Sequence, residues 1–213
     1  MVTTIGKHRV RHGDVHNQAE IANLVGTDKA DIFYSDPPWG TGNIKYWDTI
    51  NQKMNGDAGS TGNFDVDAFL KTVLGYAKKY TDGFVVIEYG KQWNAKVKQF
   101  ASEAGLIFCN EVETLYGSGQ QNLPMDILVF HTSKAVNIDL SNTYHTKGYN
   151  TVSTLFTYLI NQSERKSNIG MDLCCGMGYT AKACIQNKMR FIGNELNRAR
   201  LDKTIKRLEK DVR

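Results

Sequence analysis

The residues best suited to chemistry form one short stretch, Ser35-Asp36-Pro37-Pro38-Trp39-Gly40, which follows the apolar run 31–34. Two of the three prolines in the chain stand side by side there. Because proline fixes φ and has no N–H to donate, the pair should end a strand and hold Asp36 and Trp39 at its carboxyl edge. Ligands bind at that edge in open α/β sheets. A carboxylate, backbone carbonyls and an aromatic plane suit a flat base with an exocyclic amine. A strand-ending turn with a surface Trp is the alternative that these residues alone leave open.

A second candidate site is the stretch 172–178, Asp-Leu-Cys-Cys-Gly-Met-Gly, at a predicted strand-to-helix turn. Glycines allow a ligand to approach the backbone closely, and an acidic residue about twenty positions further on, here Glu195, can accept hydrogen bonds from ribose hydroxyls. A dinucleotide site would need a third glycine where Ala181 stands, and the sequence has no Gly-Lys-Ser/Thr phosphate loop. The stretch therefore predicts a nucleoside pocket without a pyrophosphate. Glycines that serve only a tight turn remain the alternative.

Hydrophobic periodicity predicts alternating strands and helices around these two stretches. The predicted strands are 7–12, 31–34, 84–87, 106–115, 127–131, 169–173 and 190–193, and the predicted helices are 18–25, 66–80, 93–104, 151–160, 179–187 and one from 197 onward. Loops are expected at 41–64 and 116–124, and 131–147 shows no clear period. Two consecutive strands, 106–115 and 127–131, should form an antiparallel pair that closes one edge. We predict one Rossmann-like α/β domain over 1–213, with a seven-stranded, mostly parallel sheet, one antiparallel edge strand and helices on both faces.

The composition fits a soluble globular protein. With 213 residues, 41% hydrophobic and 23% charged, the chain is long enough to bury a real core. The net charge of +4 permits a polyanionic partner without requiring one. No apolar run approaches a membrane span, and no secretory signal is recognisable. The four cysteines have no Cys-x-x-Cys spacing and include an adjacent pair, which favours reduced thiols in a cytoplasm.

The order of these stretches resembles the DNA amino-methyltransferases, in the circularly permuted arrangement where an Asp-Pro-Pro-Tyr/Trp motif precedes the cofactor motif. The resemblance covers most of the chain. Gly13-Asp14 looks like the end of the family's amino-terminal strand, and Lys147 is placed as the residue that opens the helix before the cofactor strand. The sequence 191–197, Phe-Ile-Gly-Asn-Glu-Leu-Asn, is similar to the ribose-binding strand end. Five motifs in this order are more specific than any one of them.

The resemblance implies S-adenosylmethionine as cofactor. We expect no metal, because the sulfonium methyl is already activated and the sequence has no His/Cys ligand spacing. Asp36 and the carbonyl of Pro37 would accept the two hydrogens of the target amine, and Trp39 would stack on the base. Gly176 and Gly178 would approach the methionine part of the cofactor. The implied catalytic residues are Asp36, Pro37, Pro38 and Trp39. The implied cofactor-binding residues are Gly13, Asp14, Asp36, Lys147, Asp172, Leu173, Cys174, Gly176, Gly178, Tyr179, Thr180, Glu195 and Asn197, with Asp14 on the adenine amine and Glu195 on the ribose.

The chain also departs from the family pattern. Cys174, Met177 and Gly148 stand where Phe, Ser and Pro are usual, and the interval 131–147 is too short for a separate target-recognition domain. Specificity for a target sequence is then relaxed, or it rests on loops, or a homodimer or another partner subunit supplies it. The candidate nucleic-acid contacts are Lys45, Tyr46, Trp47, Gln120 and Gln121. The basic residues of the carboxyl-terminal helix are interpreted as a solvated face rather than a DNA contact.

The expected function is transfer of a methyl group to the N6 amine of adenine in DNA, by a phage or bacterial enzyme that flips its target base. Asp at the first motif position suits adenine better than the Ser often found for cytosine N4. Methylation of cytosine N4 or of RNA adenine remains open. So does a catalytically silent, methyltransferase-like subunit that binds nucleic acid. A dinucleotide-dependent oxidoreductase is disfavoured by the missing third glycine.

Overall fold

The described part of the chain folds into eight strands and six helices. The computed structural model describes residues 1–38, 49, 65–118, 121–140, 149–164 and 166–212. The strands are β1 (Val2–Ile5), β2 (His8–His12), β3 (Ala30–Ser35), β4 (Thr81–Gly90), β5 (Ile107–Ser118), β6 (Gln121–His131), β7 (Ile169–Asp172) and β8 (Arg190–Glu195). The helices are α1 (Gln18–Val25), α2 (Val66–Tyr80), α3 (Asn94–Glu103), α4 (Tyr149–Gln162), α5 (Tyr179–Gln186) and α6 (Arg198–Asp211). The predicted α/β class is confirmed.

The strands form one mixed sheet in the order β1-β2-β8-β7-β3-β4-β6-β5. The five strands from β2 to β4 are parallel, and β6 runs antiparallel to both β4 and β5. The predicted antiparallel pair, β5 and β6, does close one edge. The expected seven strands and single antiparallel edge strand need correction, because β1 adds an antiparallel strand at the other edge and β6 lies inside the sheet. The sequence of β1, Val-Thr-Thr-Ile, shows no apolar alternation, and pairing with β2 is what forms the strand.

The predicted loop at 116–124 is also wrong. β5 continues to Ser118 and β6 begins at Gln121, so most of this polar stretch belongs to a hairpin. Gly, Ser, Gln and Asn have low strand propensity, but cross-strand pairing overrides propensity at a hairpin end. Pro124 is tolerated because β6 pairs with β4 only from Met125 onward, and Pro124 has a partner on β5 alone. Similarly, β4 begins at Thr81, three residues before the predicted strand 84–87.

Helix boundaries follow side-chain caps in the sequence. The Asn17 side chain accepts a hydrogen bond from the Glu20 N–H (3.2 Å) and so starts α1. Asp65 Oδ1 accepts from the N–H groups of Asp67 and Ala68, both at 3.0 Å, and so starts α2. Both helices have the predicted bounds. These local signals act within one turn, which is why the sequence alone predicts them.

The helices cover the two faces of the sheet. α1, α2 and α3 pack over one hydrophobic cluster, and α4, α5 and α6 pack over the other. In the interval 132–140 there is no helix or strand, and Ile138 and Leu140 are buried in the second cluster. All four cysteines are free thiols. None of the helices in the described ranges is long and apolar enough to cross a membrane.

Candidate functional site

Four of the predicted segments meet at one edge of the sheet. Gly13 and Asp14 directly follow β2, Glu195 ends β8, Asp172 ends β7, and Asp36 follows β3. β2, β8, β7 and β3 are consecutive neighbours in the sheet and all are parallel. Their carboxyl ends therefore lie side by side, which is the edge where open α/β sheets bind ligands.

Asp172 holds together the turn that follows β7. Its Oδ1 accepts a hydrogen bond from the Cys174 N–H (3.0 Å), and its Oδ2 accepts one from the Thr180 hydroxyl (2.6 Å). Asp172 and Thr180 are both buried. Leu173 is fully buried in the core beside them. The three residues were predicted to bind cofactor, and within the described contacts they shape the 172–180 loop.

The two glycines of this loop have left-handed backbone conformations, with φ +52° at Gly176 and +81° at Gly178. A Cβ on Gly178 would stand 2.6 Å from the Thr204 hydroxyl oxygen and 3.1 Å from the Thr204 Cα, so α6 leaves no room for a side chain. A Cβ on Gly176 would meet no atom within 4 Å. The backbone at Gly176 thus borders open space, which a ligand can enter.

Glu195 connects the 172–180 loop to the start of α6. Its Oε2 accepts from the Gly176 N–H and its Oε1 accepts from the Asn197 N–H, both at 2.8 Å. The carboxyl is buried, and burial raises its pKa although these backbone hydrogen bonds act in the opposite direction. A carboxylate oxygen has two lone pairs, so each oxygen can still accept a hydroxyl. Asn197 caps α6 by accepting from the Arg200 N–H (3.1 Å).

The Gly13-Asp14 turn is fixed by a buried pair that the sequence did not reveal. Arg11 Nη1 donates to Asn194 Oδ1 (2.6 Å) and to the Asp14 carbonyl (3.1 Å), and Arg11 Nη2 contacts Glu20. Asn194 Nδ2 donates in turn to the Gly13 carbonyl (3.0 Å). The Asp14 carboxylate is exposed at the turn and accepts from the His16 N–H (2.9 Å). No pattern in the sequence links positions 11 and 194.

The proline motif is anchored to β4. Pro37 is buried, Asp36 is exposed, and the Tyr89 hydroxyl donates to the Pro38 carbonyl (3.0 Å). Trp39, Lys147, Lys45, Tyr46, Trp47 and Gln120 lie outside the described residues. Gln121 begins β6, and its side chain also lies outside the description.

Asp36 and the 172–180 loop follow two adjacent parallel strands, β3 and β7. The pKa of the half-buried Cys174 thiol is raised well above its usual value, chiefly by burial, and the Asp36 carboxylate adds to this rise. Burial lowers the pKa of Arg200, and the carboxylates of Glu195 and Asp36 oppose that change. The motif after β3 and the loop after β7 therefore face one site. No group of three or more His, Cys, Asp or Glu residues in the described ranges is arranged to hold a metal ion.

Several solved structures share this fold at low sequence identity. M1.HpyAVI superposes with a TM-score of 0.64 at 17% identity, covering 93% of this chain and 97% of its own. A putative DNA modification methylase from Thermus thermophilus gives 0.62 at 14% identity, covering 96% and 95%. The cytosine-N4-specific PvuII DNA methyltransferase gives 0.62 at 11% identity, covering 98% and 92%. The chain has the fold of the DNA methyltransferases.

No protein-family model and no curated protein matches the sequence. The similarity to these methyltransferases is therefore one of fold. M1.HpyAVI has also been solved as a complex with SAM, and the Thermus methylase as a complex with S-adenosyl-L-methionine. In the methyltransferase fold of the present chain, β3 precedes β7, so Asp36 comes before the 172–180 loop.

Loss of the Tyr89 hydroxyl should weaken the anchor of the proline motif. In the Tyr89→Phe variant the Pro38 carbonyl loses this donor, and a hydrogen bond of this kind is worth about 0.5–1.5 kcal/mol. We expect the free energy of unfolding, measured in urea, to fall by about that amount. Tyr76→Phe is the matched control, because the buried Tyr76 hydroxyl makes no hydrogen bond to a described residue. Equal free energies of unfolding for the two variants would contradict an anchoring role for Tyr89.

The buried Asp172 carboxyl should make the stability of the fold depend on pH. Burial raises its pKa from 3.8 to about 7. Between these values the folded protein binds more protons at Asp172 than the unfolded chain, so the free energy of unfolding falls as pH rises. Asp172→Asn lacks this group and should lose the corresponding slope.

Urea unfolding of the wild type and Asp172→Asn between about pH 5 and 8 measures this effect. His8, whose pKa is lowered mainly by burial, and Glu195, whose pKa burial raises, are present in both proteins, so the difference reports mainly on Asp172. The stability of the wild type relative to the variant should fall by a few kcal/mol as pH rises. If the difference in the free energy of unfolding between the two proteins does not change with pH, the pKa of Asp172 is not raised.

Proposed function

We propose that this chain transfers a methyl group from S-adenosylmethionine to the exocyclic N6 amine of adenine in DNA. The observation that carries the proposal is the meeting of Asp36, the 172–180 loop, Glu195 and the Gly13-Asp14 turn at one edge of the sheet. The shared fold with DNA methyltransferases supports it. The permuted order of the motifs is part of the same proposal.

The residues present fit S-adenosylmethionine. The open space beside Gly176 can take a ligand, and Glu195 can accept hydrogen bonds from two ribose hydroxyls while it keeps its backbone partners. The exposed Asp14 carboxylate at the neighbouring strand end can accept from the adenine amine. When bound, the cofactor supplies a methyl group activated by its sulfonium. No pyrophosphate-binding element is needed for such a ligand.

The residues after β3 act on the target base. An aromatic amine is a poor nucleophile, since its lone pair is delocalised into the ring. The Asp36 carboxylate and the Pro37 carbonyl can accept its two hydrogens and favour a tetrahedral nitrogen with a directed lone pair. Asp36 is exposed and so accessible to an incoming base, whereas buried Pro37 fixes the chain. Placement and electrostatics supply the catalysis.

Three other assignments are compatible with the same fold. Cytosine N4 has the same kind of exocyclic amine, and the PvuII enzyme with this fold is cytosine-N4-specific. Adenine in RNA and a catalytically silent nucleic-acid-binding subunit are the others. The carboxylate at Asp36 favours a catalyst over a silent subunit, because a subunit without chemistry has no use for an exposed acceptor at this position.

Mass spectrometry of nucleosides tests the proposal. Duplex DNA, single-stranded DNA and RNA are each incubated with the protein and S-adenosylmethionine, then digested. We expect N6-methyladenine from DNA. N4-methylcytosine or methylated RNA would correct the base or the substrate. Cofactor binding without any methylated base would contradict catalysis by this chain alone, and no cofactor binding would overturn the whole assignment.

A further inference from the structure

One side of α6 carries four cations that have no part in the site described above. They are Lys203, Lys206, Arg207 and Lys210, hereafter the basic stripe. Their spacing of three and four residues places them along one side of the helix. Leu201, Thr204 and Leu208 are the buried residues of α6 and lie on its core-facing side.

The stripe is continuous with the candidate site. The Arg207 guanidinium carbon lies 5.5 Å from the centre of the Tyr179 ring, and Lys203 Nζ lies 3.7 Å from Met177 Sδ. Met177 and Tyr179 belong to the 172–180 loop, and Tyr179 is 41% exposed. The first turn of the same helix carries Arg200, which is within electrostatic reach of Asp36.

The stripe keeps a net positive charge. Of the three acidic residues of α6, Asp202 pairs with Arg198 (2.8 Å) and Asp211 with His8 (3.1 Å), and the exposed Glu209 lies between Lys206 and Lys210 without an ion pair to a described residue. No ion pair between described residues involves a stripe cation. A row of cations without carboxylate partners on a solvated helix face suits a polyanion.

We propose that the basic stripe, interpreted from the sequence alone as a solvated face, binds the sugar-phosphate backbone of the DNA whose base enters the site. This inference rests on the proposed function for the identity of the partner. Seven residues of helix span about 10 Å, and the phosphates of one strand recur about every 3.4 Å along the duplex axis. The stripe therefore spans about three phosphates. It gives affinity and orientation without reading sequence, which suits a chain with little room for a recognition domain.

Salt-dependent binding of a short DNA duplex tests the stripe. The variants are Lys203→Gln with Arg207→Gln, and Lys206→Gln with Lys210→Gln. Fluorescence anisotropy between about 50 and 200 mM salt gives the slope of log K against log salt. Each pair should make the slope shallower by about 2 and weaken binding roughly tenfold or more at about 100 mM salt. Cofactor binding, measured by calorimetry, should not change.

The matched control is Lys71→Gln with Lys79→Gln on α2, which packs on the opposite face of the sheet. Lys71 lies over the Phe100 ring (4.4 Å) and pairs with Glu103 (3.5 Å), and Lys79 lies over the Tyr80 ring (5.0 Å). The control therefore removes the same formal charge from lysines that also contact rings. The control should keep the wild-type slope. Equal losses of DNA affinity in the control and stripe variants would overturn the proposal. A wild-type salt slope in the stripe variants, or a wild type that binds no DNA, would also overturn it.

Methyl transfer by the wild type separates this proposal from the proposed function. An active wild type whose stripe variants keep the DNA-binding slope would overturn the stripe and leave the methyltransferase assignment standing. A wild type that binds DNA through the stripe but methylates nothing would support the stripe and contradict the assignment.

Discussion

The Asp36→Ala variant should lose methyl transfer by roughly 10²–10³-fold or more in kcat, while the cofactor Kd changes little. The physical reason is that alanine removes an acceptor for the amine hydrogens, and one preorganised polar contact to the reacting group is commonly worth this much. Asp36 is exposed at the end of β3, so its side chain has no core to support. Asp36→Asn keeps one acceptor oxygen and should retain more activity than Asp36→Ala.

Single-turnover rates and isothermal calorimetry with S-adenosylhomocysteine measure the two effects separately. Asp82→Ala is a suitable control, because Asp82 is an exposed aspartate at the amino-terminal end of β4, where parallel strands present the opposite edge of the sheet. Its activity should match that of the wild type. Retention of wild-type kcat in Asp36→Ala would exclude the proposed mechanism.

The Glu195→Gln variant should weaken cofactor binding about 10- to 100-fold and also lower the stability of the fold. Hydrogen bonds to a charged group are worth about 1.5–3 kcal/mol, and glutamine has one acceptor oxygen instead of two. Since Glu195 accepts from both Gly176 and Asn197, the amide also leaves one of these N–H groups facing a donor. The free energy of unfolding should fall by about 1–3 kcal/mol.

Calorimetry and urea unfolding check both parts of this prediction. Glu113→Gln removes the same charge from an exposed position on β5, where Glu113 pairs only with exposed Lys91 among the described residues, and should leave cofactor binding unchanged. An S-adenosylmethionine Kd within twofold of wild type in Glu195→Gln would exclude Glu195 from the cofactor site. In that case the fall in stability alone would mark Glu195 as a support of the loop.

Local patterns were sufficient for the elements that position the site. Apolar spacing predicted α1 and α2 with their observed bounds, because this signal acts between residues three or four apart. The proline pair predicted the end of β3, since proline terminates a strand by its own geometry. The family resemblance implied that these strand ends share one site.

Pairing within two hairpins escaped the sequence, because their strands lack the apolar alternation that marks a strand. β1 has no apolar alternation, and its pairing with β2 forms the strand. The hairpin end at 116–124 looks like a polar loop, since its residues favour turns until a facing strand supplies hydrogen bonds. The basic helix α6 shows its charges in sequence, but their continuity with Tyr179 and Met177 is a property of the fold.

The sequence by itself determined the α/β class and the two strand ends with chemical character, Asp36 and Glu195, because periodicity and motif chemistry are local. Only the tertiary structure decided what holds them in place. Arg11 of β2 donates to Asn194 of the neighbouring strand β8, and Tyr89 of β4 donates to Pro38 just beyond the end of the neighbouring strand β3. Such contacts depend on which strands are neighbours and on side-chain direction, and no single segment of the sequence contains that information.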